Sequence, residues 1–326
     1  MDFGVKRKSL GSPGLALAVA LTVAMCALSF LFMPDNKLQG ELGICLPSPN
    51  KWDIIPLWSA LIDMAVILCM GMGLYFLNKH FNFVKTTDNV IMAAFLVMVA
   101  SNPWISRGVN SSVAICAVNM GACALIFDTY KKTNATQELF IVATLLSVGS
   151  MMQYAFLPFI AAYLAAAALM KVFRFKEVMA FILGLIAPYW VGIGLGLIPL
   201  SSFRLPEFSN LFYDFAPPAD IFILLLNLGI TILWAFVAGM NVSLKLYAGN
   251  SRVLAMNNVI NLLGIVAVIG IVADFNNMFA YCATLYLCAA VVMANVFALW
   301  HFRKAWIPLL AVALIYIILF ILTLTM

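Results

Sequence analysis

Between Leu139 and Met170 the chain runs for 32 residues without an aspartate, glutamate, lysine or arginine. As one helix this stretch would measure about 48 Å, against a hydrocarbon core of about 30 Å. It is too long for one upright span and short for two full ones. Its middle, Ser147-Val-Gly-Ser-Met-Met-Gln-Tyr154, is its most polar patch, and Pro158 follows. These residues predict two short helices, about 139–151 and 155–171, joined by a tight turn at membrane depth. Backbone that leaves the helix there is tolerated only where protein buries it or where it lines a wet cavity. The hairpin is therefore expected to line an internal cavity, with the other helices packed round it. One long, tilted, kinked helix is the alternative.

The rest of the chain is of the same kind. Hydrophobic residues make up 65% and charged residues 10%, where a soluble domain sits near 45–50% and about 25%. The fold class expected is all-α, a polytopic integral membrane protein forming a single domain over 1–326. The net charge of +5 comes from short basic clusters between apolar runs, which argues against a nucleic-acid partner. Of the seven cysteines only Cys45 lies in a polar loop, so no disulfide framework is read. His80 and His301 are far apart, and neither a metal site nor a cofactor is expected.

Eleven spans are expected, at about 13–33, 54–77, 89–100, 109–127, 139–151, 155–171, 178–199, 221–243, 258–273, 278–300 and 307–325. The first follows Lys6, Arg7 and Lys8 and is too long for a signal-peptide core, so it is read as an uncleaved span. Pro188 predicts a kink, and Gly192, Gly194 and Gly196 predict close helix contact. Segment 201–220 repeats Phe208, Leu211, Phe212 and Phe215 at helical spacing and reads as a helix lying in the outer membrane surface. No internal repeat is found, so the usual sequence hint of a secondary transporter is missing.

With the N-terminus in the cytoplasm, alternation leaves only Lys37, Lys51, Arg107 and Arg204 outside, out of eighteen basic residues. That split obeys the positive-inside rule. Merging the hairpin into one span would move Lys171, Arg174 and Lys176 outside. The chain is thus expected in the inner (plasma) membrane, with the turn at Gln153 in the outer leaflet and the C-terminus outside.

No phosphate loop, GxSxG or HExxH motif occurs. What remains is a set of outward polar groups: Asp35 and Glu41 after the first span, Asp53 and Asp63 at the second, Arg107 before the fourth, Gln153 and Tyr154 in the turn, and Arg204 after the seventh. An arginine at a span boundary can grip a phosphate with paired donors; it can equally be an interfacial anchor. Asp63 lies within a span, where an ionisable group is a functional candidate. Asp35, Arg107 and Gln153 are expected to face one outward cavity, with Asp63 at its edge.

The long first span, the acidic outer loop, the short paired helices and the phrase Ala100-Ser-Asn-Pro-Trp104 leading to Ser111–Ser112 resemble the C-type glycosyltransferases that use polyprenyl-phosphate sugars. The likeness covers about residues 13–200, followed by the interfacial segment and the C-terminal helices of 221–326. It implies transfer of a sugar from a lipid carrier on the outer face, with Asp35 as general base and Arg107 on the lipid phosphate. The outer loops are shorter than such enzymes use for a soluble acceptor domain. The loop Phe173-Arg-Phe-Lys-Glu177 leading to Gly184-Leu-Ile-Ala-Pro-Tyr189 resembles a family of polytopic bacterial inner-membrane proteins without an established activity. That likeness implies localisation and topology only. Two other functions stay open: a non-enzymatic membrane subunit of an envelope assembly complex, with protein partners there, and a transporter or flippase for a lipid-linked substrate.

Overall fold

The computed structural model describes residues 12–33, 43–84, 88–203, 218–246, 250–299 and 306–325, and among them every regular element is helical. The helices are α1 (Ser12–Phe32), α2 (Pro56–Phe81), α3 (Asp88–Ala100), α4 (Pro103–Ser106), α5 (Ser111–Phe127) and α6 (Thr136–Met152). Then come α7 (Leu157–Leu169), α8 (Phe175–Gly194), α9 (Pro218–Leu246), α10 (Ser251–Ala273), α11 (Met278–Leu299) and α12 (Trp306–Thr325). Among the described residues five stretches are long and apolar enough to cross a membrane, those at 14–32, 56–81, 175–194, 251–273 and 278–297.

The axis of the bundle is α11, not the hairpin. Every residue from Met278 to Asn295 is buried, and α3 is buried from Val90 to Ala100. Helices α3, α5, α9 and α10 pack round α11. The reason is visible in the side chains. Ala280, Ala283, Ala289, Ala290 and Ala294 let neighbours approach α11 closely, while α6 packs chiefly on α8 and less on α5 and α7.

The hairpin itself forms as expected: α6 ends at Met152, α7 begins at Leu157, and one 3-10 turn, Tyr154–Phe156, joins them. Gln153, Tyr154, Ala155 and Phe156 are all buried, so the non-helical backbone is covered by protein. The first loop does part of the covering. Cys45 N–H and Leu46 N–H donate to the Met151 carbonyl at 3.2 and 2.8 Å, satisfying an acceptor that the end of α6 leaves free.

Helix α8 holds Pro188 without breaking. A proline removes the N–H that would bond the carbonyl four residues back, here that of Gly184. Thr144 of α6 donates its hydroxyl to that carbonyl at 3.3 Å, and Ser147 donates to the Leu185 carbonyl at 2.7 Å. The close approach this requires comes from Gly184, where a Cβ would strike the Phe140 carbonyl oxygen. The three glycines expected to make such contacts do otherwise. Among the described residues nothing lies near Gly194 or Gly196, and Gly192 faces Ile198 of its own chain end. Gly196, at φ +70°, terminates α8 in a left-handed turn.

Helix α10 is a full 23 residues rather than a short span. Its first turns look polar because they carry Asn257 and Asn258, but Asn257 is buried. It donates to the Phe83 and Val253 carbonyls, both at 2.9 Å, and accepts from Asn295 of α11 at 2.7 Å. Asn250 caps the helix by accepting from Val253 N–H at 3.3 Å.

Interlocking loops define two ends of the bundle. At one end the first loop meets the hairpin turn and the α4–α5 loop (Ser111 N–H to Asn50, 2.8 Å), and Tyr154 reaches Asp274 between α10 and α11. At the other end Lys131 N–H donates to the Met170 carbonyl, Arg174 to the Thr133 carbonyl and Tyr130 to Ser251. Lys131, Lys132, Lys171, Arg174, Lys176 and Arg252 belong to this second end.

Candidate functional site

The first end carries a pocket of about 310 Å³. Phe30 of α1, the run Pro49–Asn50, Trp52–Ile54 and Pro56, Ser59 of α2 and the segment Trp104 and Arg107–Asn110 form its wall. The α4–α5 segment is short and tightly held. Asn102 caps α4 by accepting from Trp104 N–H at 3.2 Å. Asn110 donates to the Ile105 and Gly108 carbonyls at 2.6 and 2.7 Å, and accepts from Val113 N–H at 3.1 Å to cap α5. Ser59 accepts from Val109 N–H at 2.9 Å. Arg107 is thereby presented, half-buried, on a fixed backbone, opposite the exposed Asp53 of the first loop.

A pocket with one guanidinium, one carboxylate, two carboxamides and two indoles suits an amphiphile with an anionic head. Arginine offers planar paired donors to a phosphate, and tryptophans favour the level where apolar chains meet polar heads. Among the described residues no group of three histidine, cysteine or acidic side chains could hold a metal.

The expected residues fall in different places. Arg107 and Asp53 share the pocket. Gln153 is fully buried at the end of α6, and neither polar atom of its side chain has a partner among the described residues. Tyr154 is also buried and donates to Asp274 Oδ2 at 2.7 Å. Asp63 lies one helical turn beneath Ser59, buried, with both oxygens unpartnered among the described residues. Asp35, Glu41 and Arg204 lie outside the described residues, as does most of segment 201–220. The start of that segment, Leu200–Ser202, is a 3-10 turn, and α9 already begins at Pro218.

Asn50, Trp52, Ser59 and Asn110 of the wall escaped the sequence reading. Asn110 had a signal, since Asn-Ser-Ser before an apolar run reads as a helix cap. Asp274 was missed too, because it falls in the short gap between two spans.

Asp274 offers a pH test. Burial pushes its carboxyl above the usual range, and the Tyr154 hydrogen bond partly pulls it back. A raised folded-state value favours folding below the ordinary carboxylate range, near 3.9, and that contribution is lost as pH rises through the folded value. Asp274→Asn should remove the loss. The thermal midpoint of the wild type should therefore fall relative to the variant across that window and stay parallel above it. Parallel curves throughout would mean that Asp274 does not titrate differently on folding.

No protein-family model, curated protein or solved structure matches the chain.

Proposed function

We propose that the protein is a multi-spanning inner-membrane protein that holds the phosphate head of a lipid-linked sugar in the pocket at its outer end, and that it transfers the sugar there. The observation that carries this reading is Arg107, set in the wall of a pocket between Trp52 and Trp104. The basic residues gathered at the opposite end support placing the pocket outside. In this reading eleven spans put the N-terminus inside and the C-terminus outside. A reporter fused after Met326 should be active only outside the cytoplasm; cytoplasmic activity would reverse the count.

The chemistry balances with the residues at hand. An acceptor hydroxyl oxygen attacks the anomeric carbon, the bond from that carbon to the phosphate oxygen breaks, and the lipid phosphate leaves with the electron pair. Arg107 neutralises the leaving charge. The hydroxyl proton passes to a carboxylate, the role that the glycosyltransferase resemblance gives to Asp35 and for which Asp53 stands in the pocket wall.

Binding is the direct test. The wild type in nanodiscs should retain polyprenyl phosphate and release the uncharged polyprenol. Arg107→Ala should weaken phosphate-lipid binding by about ten- to a hundredfold, the worth of a charged hydrogen-bond pair. Arg107→Lys should fall between, because it loses the paired geometry. Equal binding of both lipids by the wild type would remove the reading. A second reading, a structural subunit of an envelope assembly, draws on the packing of α3 and α11, buried from Val90 to Ala100 and from Met278 to Asn295. It expects no lipid preference and a stable protein partner.

A further inference from the structure

Asp63 is an acidic side chain with nothing to hold. It is 1% exposed, and among the described residues neither carboxylate oxygen has a hydrogen-bond partner. It sits seven residues into α2, about 10 Å below Pro56. A carboxylate buried without a partner costs several kcal/mol, so such a group is compensated by a positive charge or functions through one.

Among the described residues no such charge stands at this place. Helices α1, α3, α4 and α5 pack on α2. From α1 the facing titratable group is Cys26, which lies within electrostatic reach of Asp63. Beyond its first residue, Asp88, α3 carries no titratable side chain, α4 carries none, and α5 carries only Cys116 and Cys123. Arg107 follows α4 but lines the pocket one level higher.

The pocket lies one helical turn above Asp63. Phe30 and Ser59 line the pocket floor. Four residues below them, one turn down the same two helices, stand Cys26 and Asp63. Ser29 and Ser106 join α1 to α4 in this region by a 3.0 Å hydroxyl contact. We propose that Asp63 binds one exchangeable monovalent cation, a proton or a sodium ion, that reaches it from the outer pocket past these hydroxyls. The site makes the occupancy of the outer end responsive to pH or sodium, and it does not depend on which molecule fills the pocket.

The two cations are separated by experiment on the purified full-length protein. Thermal unfolding is followed in sodium against choline at constant ionic strength over a range of pH. Infrared difference spectra are recorded in the same series. If sodium is the occupant, it raises the unfolding midpoint of the wild type, high proton concentration competes with it, and Asp63→Asn is unmoved. If a proton is the occupant, sodium has no effect, and the wild type shows the carbonyl band of a neutral carboxylic acid that Asp63→Asn lacks. Should Asp63→Asn fail to insert, Asp63→Glu is used, and a shifted carbonyl band or a changed sodium response identifies the site. Wild-type protein with neither a sodium response nor such a band overturns the proposal and leaves Asp63 with a structural water only.

Discussion

Gly184→Leu should separate α8 from the hairpin and lower stability by roughly 2–4 kcal/mol. The glycine lies where α8 presses on α6. A Cβ there would strike the Phe140 carbonyl and stand 2.8 Å from the Ala143 Cβ. Neither obstacle can swing aside, because one is backbone and the other is the stub of a side chain. Over-packing of this kind costs about 1–3 kcal/mol. Parting the helices also breaks the Thr144 and Ser147 bonds to the carbonyls of Gly184 and Leu185, each worth about 0.6 kcal/mol within a membrane. Gly194→Leu is the control, since no described residue lies within 4 Å of that position, and it should stay within about 0.5 kcal/mol of the wild type. Thermal midpoints in mild detergent give both numbers. A Gly184→Leu protein as stable as Gly194→Leu would mean that α6 and α8 do not pack as described.

This pair also shows where sequence reading stops. Local features were legible. The proline after a polar patch placed the hairpin turn at Gln153, and the apolar runs placed α1, α3 and α11 within a residue or two. Such features depend on what a segment does with its own backbone. Which glycine of α8 touches a neighbour depends on a second helix, and the run Gly192, Gly194, Gly196 looked more telling than the lone Gly184. The same holds for α10, whose asparagines read as loop until Phe83 and Asn295 are brought beside Asn257. In the candidate site, Arg107 was legible as a cation at a span boundary. Its setting was not, because the wall combines side chains from α1, the first loop, α2 and the α4–α5 segment. The buried ends of Tyr154 and Asp274 are likewise 120 residues apart, and only the fold makes them partners.

Asn110 should prove the most sensitive residue for the shape of the pocket. Its side chain uses both donors and one acceptor within nine residues of chain. The donors hold the Ile105 and Gly108 carbonyls at 2.6 and 2.7 Å, and the acceptor caps α5 at Val113. These bonds fold the chain round Arg107 and keep Gly108 against Ser59 of α2. Asn110→Ala loses the cap, about 1 kcal/mol, and leaves two carbonyls without donors at about 1 kcal/mol each. The expected fall in stability is about 2–3 kcal/mol, with loss of phosphate-lipid binding. Asn110→Asp separates the two roles. It keeps the cap and adds a favourable charge at the start of α5, but it turns oxygens toward two carbonyl oxygens, so the loop must open. That variant should retain more of its thermal stability than Asn110→Ala while binding polyprenyl phosphate no better. If Asn110→Asp instead binds the lipid like the wild type, the geometry of the α4–α5 segment does not set the position of Arg107, and the pocket is held by the first loop alone.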